Sequence, residues 1–295
     1  MNIERLKNLI REKTVPLDAP VTLAQRRLDM EKVSFTVNDD ISVEAITVAG
    51  CAAEWLCAPD IDSQRAVLYL HGGGYVMGSL NTHRSLGGEI SREAHAAVLL
   101  LDYRLAPEAA FPAAVDDALA AYEWLLAAGY DAENLAIGGD SAGGGLTAAT
   151  LLALRDKNIP MPGAAVCISP WSDLTCSNES YTTRAAADPM VSINGLSEMV
   201  EQYVQGQDLN HAYASPNLAD LHSLPPLLIH VGRDEVLLDD AIKLHEKAQS
   251  AGVESTLEIW DDMIHVWHVF HPMLAEGKQA NQRIGAFLRE QWNAA

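Results

Sequence analysis

The sequence predicts an α/β fold, a mostly parallel central sheet flanked by helices. Two observations carry this. Short, continuous apolar runs recur along most of the chain, as strands buried on both faces require. Helical stretches lie between them, which is the alternation that builds parallel sheets through right-handed crossovers.

The chain opens with two helical patterns. Ile3–Lys13 places Leu6, Leu9 and Ile10 on one face, and Thr22–Lys32 follows Pro20. Strand-like alternation then covers Val33–Val37 and Ile41–Val48, and Ala53–Cys57 reads as a third short strand. From there the pattern changes to short, mostly apolar runs: Ala66–Leu70, Ala97–Leu101, Leu135–Ile137, Ala164–Ile168 and Leu227–Val231, with Thr256–Ile259 as a further strand-like run. The intervening helical stretches are Ser85–His95, Pro112–Ala128, Gly143–Arg155, Val236–Ala251 and Glu276–Trp292. Between Trp171 and Pro225 no buried strand is visible. Helical pieces such as Leu196–Val204 alternate there with loop signals at Pro189, Gly206 and Pro216. A stretch of that length between core elements is more often a functional lid than a structureless loop.

Composition narrows the function classes. The 295 residues carry 40 acidic against 20 basic side chains, a formal net charge of −20. Such a surface repels nucleic acid and anionic lipid headgroups, so no nucleic-acid partner and no stable membrane association are expected. No apolar run reaches the roughly 18 residues needed to cross a bilayer. Met1–Glu12 lacks the order of a secretory signal, which makes a cytoplasmic protein the expectation. Cys51, Cys57, Cys167 and Cys176 form no CxxC pair and match no zinc spacing, so free thiols and no metal are expected.

The chemistry centres on Gly139-Asp140-Ser141-Ala142-Gly143, between the run Leu135–Ile137 and a glycine- and alanine-rich helix. That is the setting of a nucleophile elbow, in which small flanking residues let strand and helix approach and present a serine at the positive end of the helix dipole. A glycine-rich turn that merely caps a helix is the plainer alternative. A second motif, His71-Gly72-Gly73-Gly74-Tyr75, follows Ala66–Leu70 directly. Its backbone N–H groups, with no bulky side chains in the way, suit an oxyanion, and the amide of Ala142 supplies a matching donor. A phosphate cradle is the rival reading. The chain has neither GxGxxG nor a following Lys-Ser/Thr pair there.

A serine nucleophile needs a base, and the base an orienting carboxylate. In this type of fold both follow the serine in the chain, acid before histidine. Asp234 lies just past Leu227–Val231; Glu235, Asp239 and Asp240 compete, the last two within the next helix, and an N-cap role for Asp234 is the alternative. His265 follows Thr256–Trp260 in a loop, where a base has to hang, and is preferred to His268 and His271, which are placed on the next helix. His230 lies inside a strand and reads as a core histidine.

HGGGY at His71–Tyr75, the run Asp102–Glu108, GDSAGG at Gly139–Gly144 and the late acid and histidine together resemble the bacterial hormone-sensitive-lipase-like (family IV) carboxylesterases of the α/β-hydrolase superfamily. The resemblance spans Ala66 to the C-terminus. It implies an α/β-hydrolase fold over residues 1–295 as a single domain, with a helical cap from roughly 1–32 and 172–224. It also implies a triad of Ser141, Asp234 and His265 and an oxyanion hole from Gly73, Gly74 and Ala142. The implied activity is hydrolysis of short- to medium-chain esters by an acyl-enzyme route, with no cofactor and with a homodimer among the expectations. Two departures bear on substrate. The family commonly has Asp-Pro-Leu-Arg-Asp at the acid and His-Gly-Phe at the base, where this chain has Asp234-Glu235-Val236 and His265-Val266-Trp267. That version is similar to a subgroup containing esterases and a monoterpene lactone hydrolase, so a lactone hydrolase is the alternative, and a non-catalytic ligand-binding protein the remoter one. Tyr75, Met77, Trp171, Met190 and Trp267 are the candidate pocket residues. Asp102–Glu108 reads as a structural turn, and Asp140 as a brace for the elbow.

Overall fold

The computed structural model describes residues 1–13 and 19–294. Residues 14–18, inside the expected cap segment 1–32, and Ala295, at the end of the expected domain, lie outside the described residues. The strands are β1 (Ser42–Val48), β2 (Cys51–Cys57), β3 (Asp62–Leu70), β4 (Ala96–Asp102), β5 (Leu135–Asp140), β6 (Ala164–Ile168), β7 (Leu227–Gly232) and β8 (Ser255–Trp260). They form one sheet in the order β1-β2-β4-β3-β5-β6-β7-β8. β1 and β2 make an antiparallel edge, and every pairing from β4 to β8 is parallel.

The apolar runs lack polar alternation because both faces of the sheet are covered. Leu68, Leu70, Leu99, Leu101 and Ile137 point into one core, with residues of α4 (Ala113–Ala127), α5 (Ala142–Asp156) and α8 (Leu238–Ser250). Their neighbours Val67, Tyr69, Val98, Leu100 and Ala136 point into a second core, with α3 (Leu80–Ala94) and α9 (Ala275–Ala294). Each fully buried Leu or Val contributes about 2 kcal/mol, so these strands are held by cover rather than by edge pairing.

Expected and observed elements differ mainly where caps act. α2 (Leu23–Lys32) starts one residue late because Thr22 is its N-cap, accepting from Gln25 N. α3 starts well before Ser85 because Ser79 and Thr82 form a reciprocal capping box. Residues 33–37 are not a strand. Val37 packs its side chain towards Gly88 of α3 and Phe35 sits edge-on to Phe270, so the period of two there reflects two half-buried side chains rather than a ladder. Asp234 is not a helix N-cap: α8 starts at Leu238, and no side chain caps it.

The 171–225 stretch holds no strand, as expected, but carries α6 (Ser180–Thr183) and α7 (Ile193–Val204). Trp171, Leu174, Tyr181, Leu196, Met199 and Tyr203 join the core on the α5 face of the sheet. α1 (Ile3–Lys13) buries Leu6 and Ile10 against Met263, Ile264 and Trp267 in a smaller third cluster. Among the described residues, no helix is long and apolar enough to cross a membrane.

Candidate active site

Ser141 lies between the last residue of β5 and the first of α5, at φ 54° and ψ −120°. This conformation is costly for a non-glycine residue, and the surroundings impose it. Ser141 N donates to Ile168 O at 2.8 Å, and its carbonyl accepts from Trp171 N at 2.9 Å. A Cβ on Gly143 would lie 1.9 Å from Leu70 O, so only glycine lets α5 lie this close to β3. Ala142 occupies the first turn of α5, where an amide has no acceptor within the helix. Ser141 is half-buried, whereas Ala142–Leu154 is buried throughout.

The glycine loop after β3 turns left-handed at Gly73 (φ 123°) and Gly74 (φ 63°). Met199 of α7 places its sulfur where a side chain on residue 74 would go. A buried polar cluster fixes the loop. Gly72 N donates to Asp140 Oδ1 at 3.1 Å, and Tyr69 OH donates to the same oxygen at 3.0 Å. His83 Nε2 is 3.3 Å from Asp140 Oδ2. Burial opposes the Asp140 charge, but His83 and the Tyr69 hydroxyl hold its carboxyl below the usual range. His71 donates from Nδ1 to Gly72 O at 2.8 Å and stacks on Tyr103, whose hydroxyl donates to His71 O at 2.7 Å. Burial and the neighbouring His83 depress the His71 pKa to about 3, which leaves it a neutral brace. Asp140 thus ties the elbow to the glycine loop.

The carboxylate beside His265 is not the expected one. His265 Nδ1 donates to Glu235 Oε2 at 2.8 Å. Asp234 turns away and accepts from Lys7 Nζ of α1 at 2.8 Å. The correction has a backbone cause. Asp234 N is engaged with Met263 O, which directs its side chain outward, and the next residue points inward. Glu235 is wholly buried, and its Oε1 accepts from Ser169 Oγ at 2.9 Å and from Gly232 N. Burial works against a charged His265, but Glu235, then Asp188 and Asp140, outweigh it and raise its pKa above the ordinary 6.5.

The competing histidines are engaged elsewhere. His268 lies in a short 3-10 helix (Trp267–Phe270) ahead of α9, and its Nε2 is 3.0 Å from Nδ1 of the buried His230. His271 Nε2 is 3.3 Å from Ser85 Oγ. Ser141, Ser169, Glu235 and His265 follow the C-terminal ends of β5, β6, β7 and β8, strands adjacent in the sheet, so all four gather on one rim. In open α/β sheets that rim is where ligands bind.

Of the candidate pocket residues, Tyr75 and Trp171 are buried side by side, with ring centroids 6.1 Å apart. Tyr75 also stacks on Tyr203 of α7 at 3.9 Å and 2°. Met77 is buried in the same core, and half-buried Met190 packs between that core and the cluster under α1. Trp267 departs from expectation: it is fully buried beneath α1, against His230, Trp260 and His268.

Several residues were not legible as site components. Lys7 links α1 to the acid loop, and burial of its stem does not prevent its pKa from being raised by Asp234 and Glu4. Arg27 of α2 donates to Val76 O, Ala106 O and both oxygens of Glu108, which ties α2 to the turn Asp102–Glu108. Asp188 accepts from the amides of Met190, Val191 and Val236. The links from Lys7 to Asp234, from Arg27 to Val76, Ala106 and Glu108, and from Val236 to Asp188 span tens to hundreds of residues, and no local pattern announces them.

Residues 67–269 match the family described by the α/β-hydrolase fold, and the chain belongs to that family. It is 50% identical over 246 residues to an acetyl-hydrolase of Streptomyces hygroscopicus, covering 83% of this chain and 82% of that protein. An esterase of Acinetobacter venetianus is 33% identical over 254 residues, 86% of this chain and 84% of its own. Among solved structures, EstE5 soaked with p-nitrophenyl butyrate superposes with a TM-score of 0.97 at 62% identity, covering 99% of this chain and 98% of that one. An esterase of the bacterial hormone-sensitive lipase family superposes with a TM-score of 0.95 at 49% identity, covering 98% of each chain.

Proposed function

We propose that this protein is a carboxylic ester hydrolase that works through an acyl-enzyme on Ser141. The observation that carries the reading is the His265–Glu235 pair, 2.8 Å apart and buried, on the rim that also presents the strained Ser141. His265 takes the serine proton as the hydroxyl attacks the ester carbonyl. Glu235 holds Nδ1 protonated, which leaves Nε2 as the accepting nitrogen, and stabilises the imidazolium. The amides of Gly73, Gly74 and Ala142 receive the oxyanion. His265 then protonates the leaving alcohol, and afterwards deprotonates the water that releases the acid.

The substrates in this reading are small esters of short- to medium-chain acids, bound between Tyr75, Trp171, Met190 and Met199. The similarity to an acetyl-hydrolase and to a structure soaked with a butyrate ester supports it. α1, α2 and residues 172–224 act as a cap over a single hydrolase domain. The enzyme works in the cytoplasm with its four cysteines reduced, as a homodimer joined through the edge of β8. Sedimentation as a monomer at micromolar concentration would remove that last element.

The deciding experiment is hydrolysis of p-nitrophenyl esters of increasing acyl length, with lactones and amides in the same panel and Ser141→Ala as control. Ser141→Ala should lower kcat by roughly 10⁴-fold or more. Wild-type turnover in that variant would end the proposal, and faster turnover of lactones than of esters would redirect it.

A further inference from the structure

Ser169 closes β6 at a point where no motif marks it. Its side chain is wholly buried, and its backbone is held at φ 45°, a left-handed conformation that serine adopts only when its surroundings insist. Ser169 N donates to His230 O at 2.7 Å, which locks this turn to β7. The hydroxyl donates to Glu235 Oε1 at 2.9 Å and accepts from Val266 N at 3.1 Å. Val266 directly follows His265 and is itself left-handed, at φ 47°, an outlier for a β-branched residue.

Each hydrogen bond can run in one direction only. An ionised carboxylate accepts and a backbone amide donates, so the single hydroxyl proton must point at Glu235 and a lone pair at Val266. One atom therefore grips the carboxylate loop after β7 and the histidine loop after β8. With Ser169 and Gly232 N both on Oε1, the other oxygen of Glu235 is left for His265 Nδ1. The two carboxylate oxygens are divided between the scaffold and the base.

We propose that Ser169 is a positioning residue for the acid–base pair: its hydroxyl sets the orientation of Glu235 and the strained turn at Val266, and through them the aim of His265. The proposal rests on the reading of Glu235 and His265 as acid and base. It assigns the alignment of that pair to a third side chain that touches neither substrate nor the reacting atoms. Losing the hydroxyl removes one of two donors to a buried carboxylate oxygen and strips a buried amide of its acceptor.

The test uses the full-length chain with Ser169→Ala, Ser169→Gly, Glu235→Gln and the double variant Ser169→Ala/Glu235→Gln. Kinetics are measured on p-nitrophenyl butyrate, together with thermal unfolding. Both Ser169 variants should lose roughly ten- to hundredfold in kcat, with KM within about threefold of wild type, because a misaimed base slows chemistry more than binding. Glycine accepts the left-handed turn freely, so Ser169→Gly guards against a loss caused by misfolding alone. In the Glu235→Gln background, Ser169→Ala should cost less than about threefold, since the group it acts through is already altered. Recovery of kcat in Ser169→Gly would overturn the proposal by showing that backbone strain, not the hydroxyl, is what matters. Losses that simply multiply in the double variant would overturn it as well. Full activity of Glu235→Gln would instead bring down the assignment of the acid, and this proposal with it.

Discussion

The two halves of the active-site rim are built in different ways. At the nucleophile, main chain meets main chain. Gly143 lies against the carbonyl of Leu70, Ser141 N donates to Ile168 O, and Trp171 N donates to Ser141 O. At the acid and base, side chains distant in sequence meet: Glu235 with His265, Ser169 with Glu235, and Lys7 with Asp234. In the first half, strand and helix leave no room for added atoms, and the Asp140 carboxylate braces the glycine loop. The second tolerates changes of size at its margins but depends on which polar atom faces which. Steric geometry therefore protects the serine, and hydrogen-bond direction selects the carboxylate.

This contrast breaks most sharply at Gly143. Gly143→Ala puts a methyl group against two backbone carbonyls that cannot move without shifting β3. The expected loss is more than about 4 kcal/mol of folding stability, read from urea unfolding. A variant that unfolds at the wild-type midpoint would show that main-chain contact is not what holds the elbow.

The next test separates neighbours. Glu235→Gln should lower kcat by roughly 10²- to 10⁴-fold, because an amide can donate to Nδ1 and favour the wrong tautomer. Asp234→Asn should change kcat by less than about threefold. The reverse ranking would return the role to Asp234. The same pair of variants sharpens the pH dependence. His265 must be neutral to accept a proton, and its pKa is raised above 6.5 by Glu235, Asp188 and Asp140. The acid limb of kcat/KM in the wild type should therefore lie above that value and activity fall as the pH drops through it. In Glu235→Gln the limb should move to lower pH, since the largest partner of the charged form is gone; an unmoved limb would mean another group titrates there.

The smallest effect is expected at Lys7. Its side chain is 7% exposed and pairs with Asp234, which is 23% exposed and can hydrate once released. Lys7→Met should cost about 1–2 kcal/mol, with kcat changed less than about threefold, measured by thermal unfolding and steady-state kinetics. Because the Lys7 pKa is raised above its ordinary 10.5, the pair's contribution is complete below that pH and fades only as pH rises through the folded value. A large drop in kcat at unchanged stability would move Lys7 into the catalytic half of the rim.

Legibility in the sequence follows the same division. Strands β4 to β7 and the second half of β3 were recognisable because burial on both faces removes most polar residues from them, and β8, half-buried at the edge, by its place after the last long helical stretch but one. The elbow and glycine loop were recognisable because close backbone approach restricts residue type at fixed offsets. His265 was recognisable because only one histidine hangs directly after the last strand. Residues 33–37 misled because two half-buried side chains two residues apart, Phe35 on Phe270 and Val37 on α3, mimic a strand's period. The start of α3 was hidden in the capping pair Ser79 and Thr82, a polar signal outside the apolar period.

By itself, then, the sequence determined the layered sheet, the position of the serine, the glycine loop and the histidine placed on the same rim. Each of these depends on local sterics or on periodic burial, which are properties of short segments. Only the tertiary structure decided that Glu235 rather than Asp234 meets His265, that Trp267 packs under α1, and that Ser169 reaches Glu235, Lys7 reaches Asp234 and Arg27 reaches Glu108. Those outcomes depend on which way a side chain points once a loop is pinned at both ends. Two adjacent acidic residues are equivalent until the backbone of Asp234 is committed to Met263, and that bond exists only after β7 and β8 have paired.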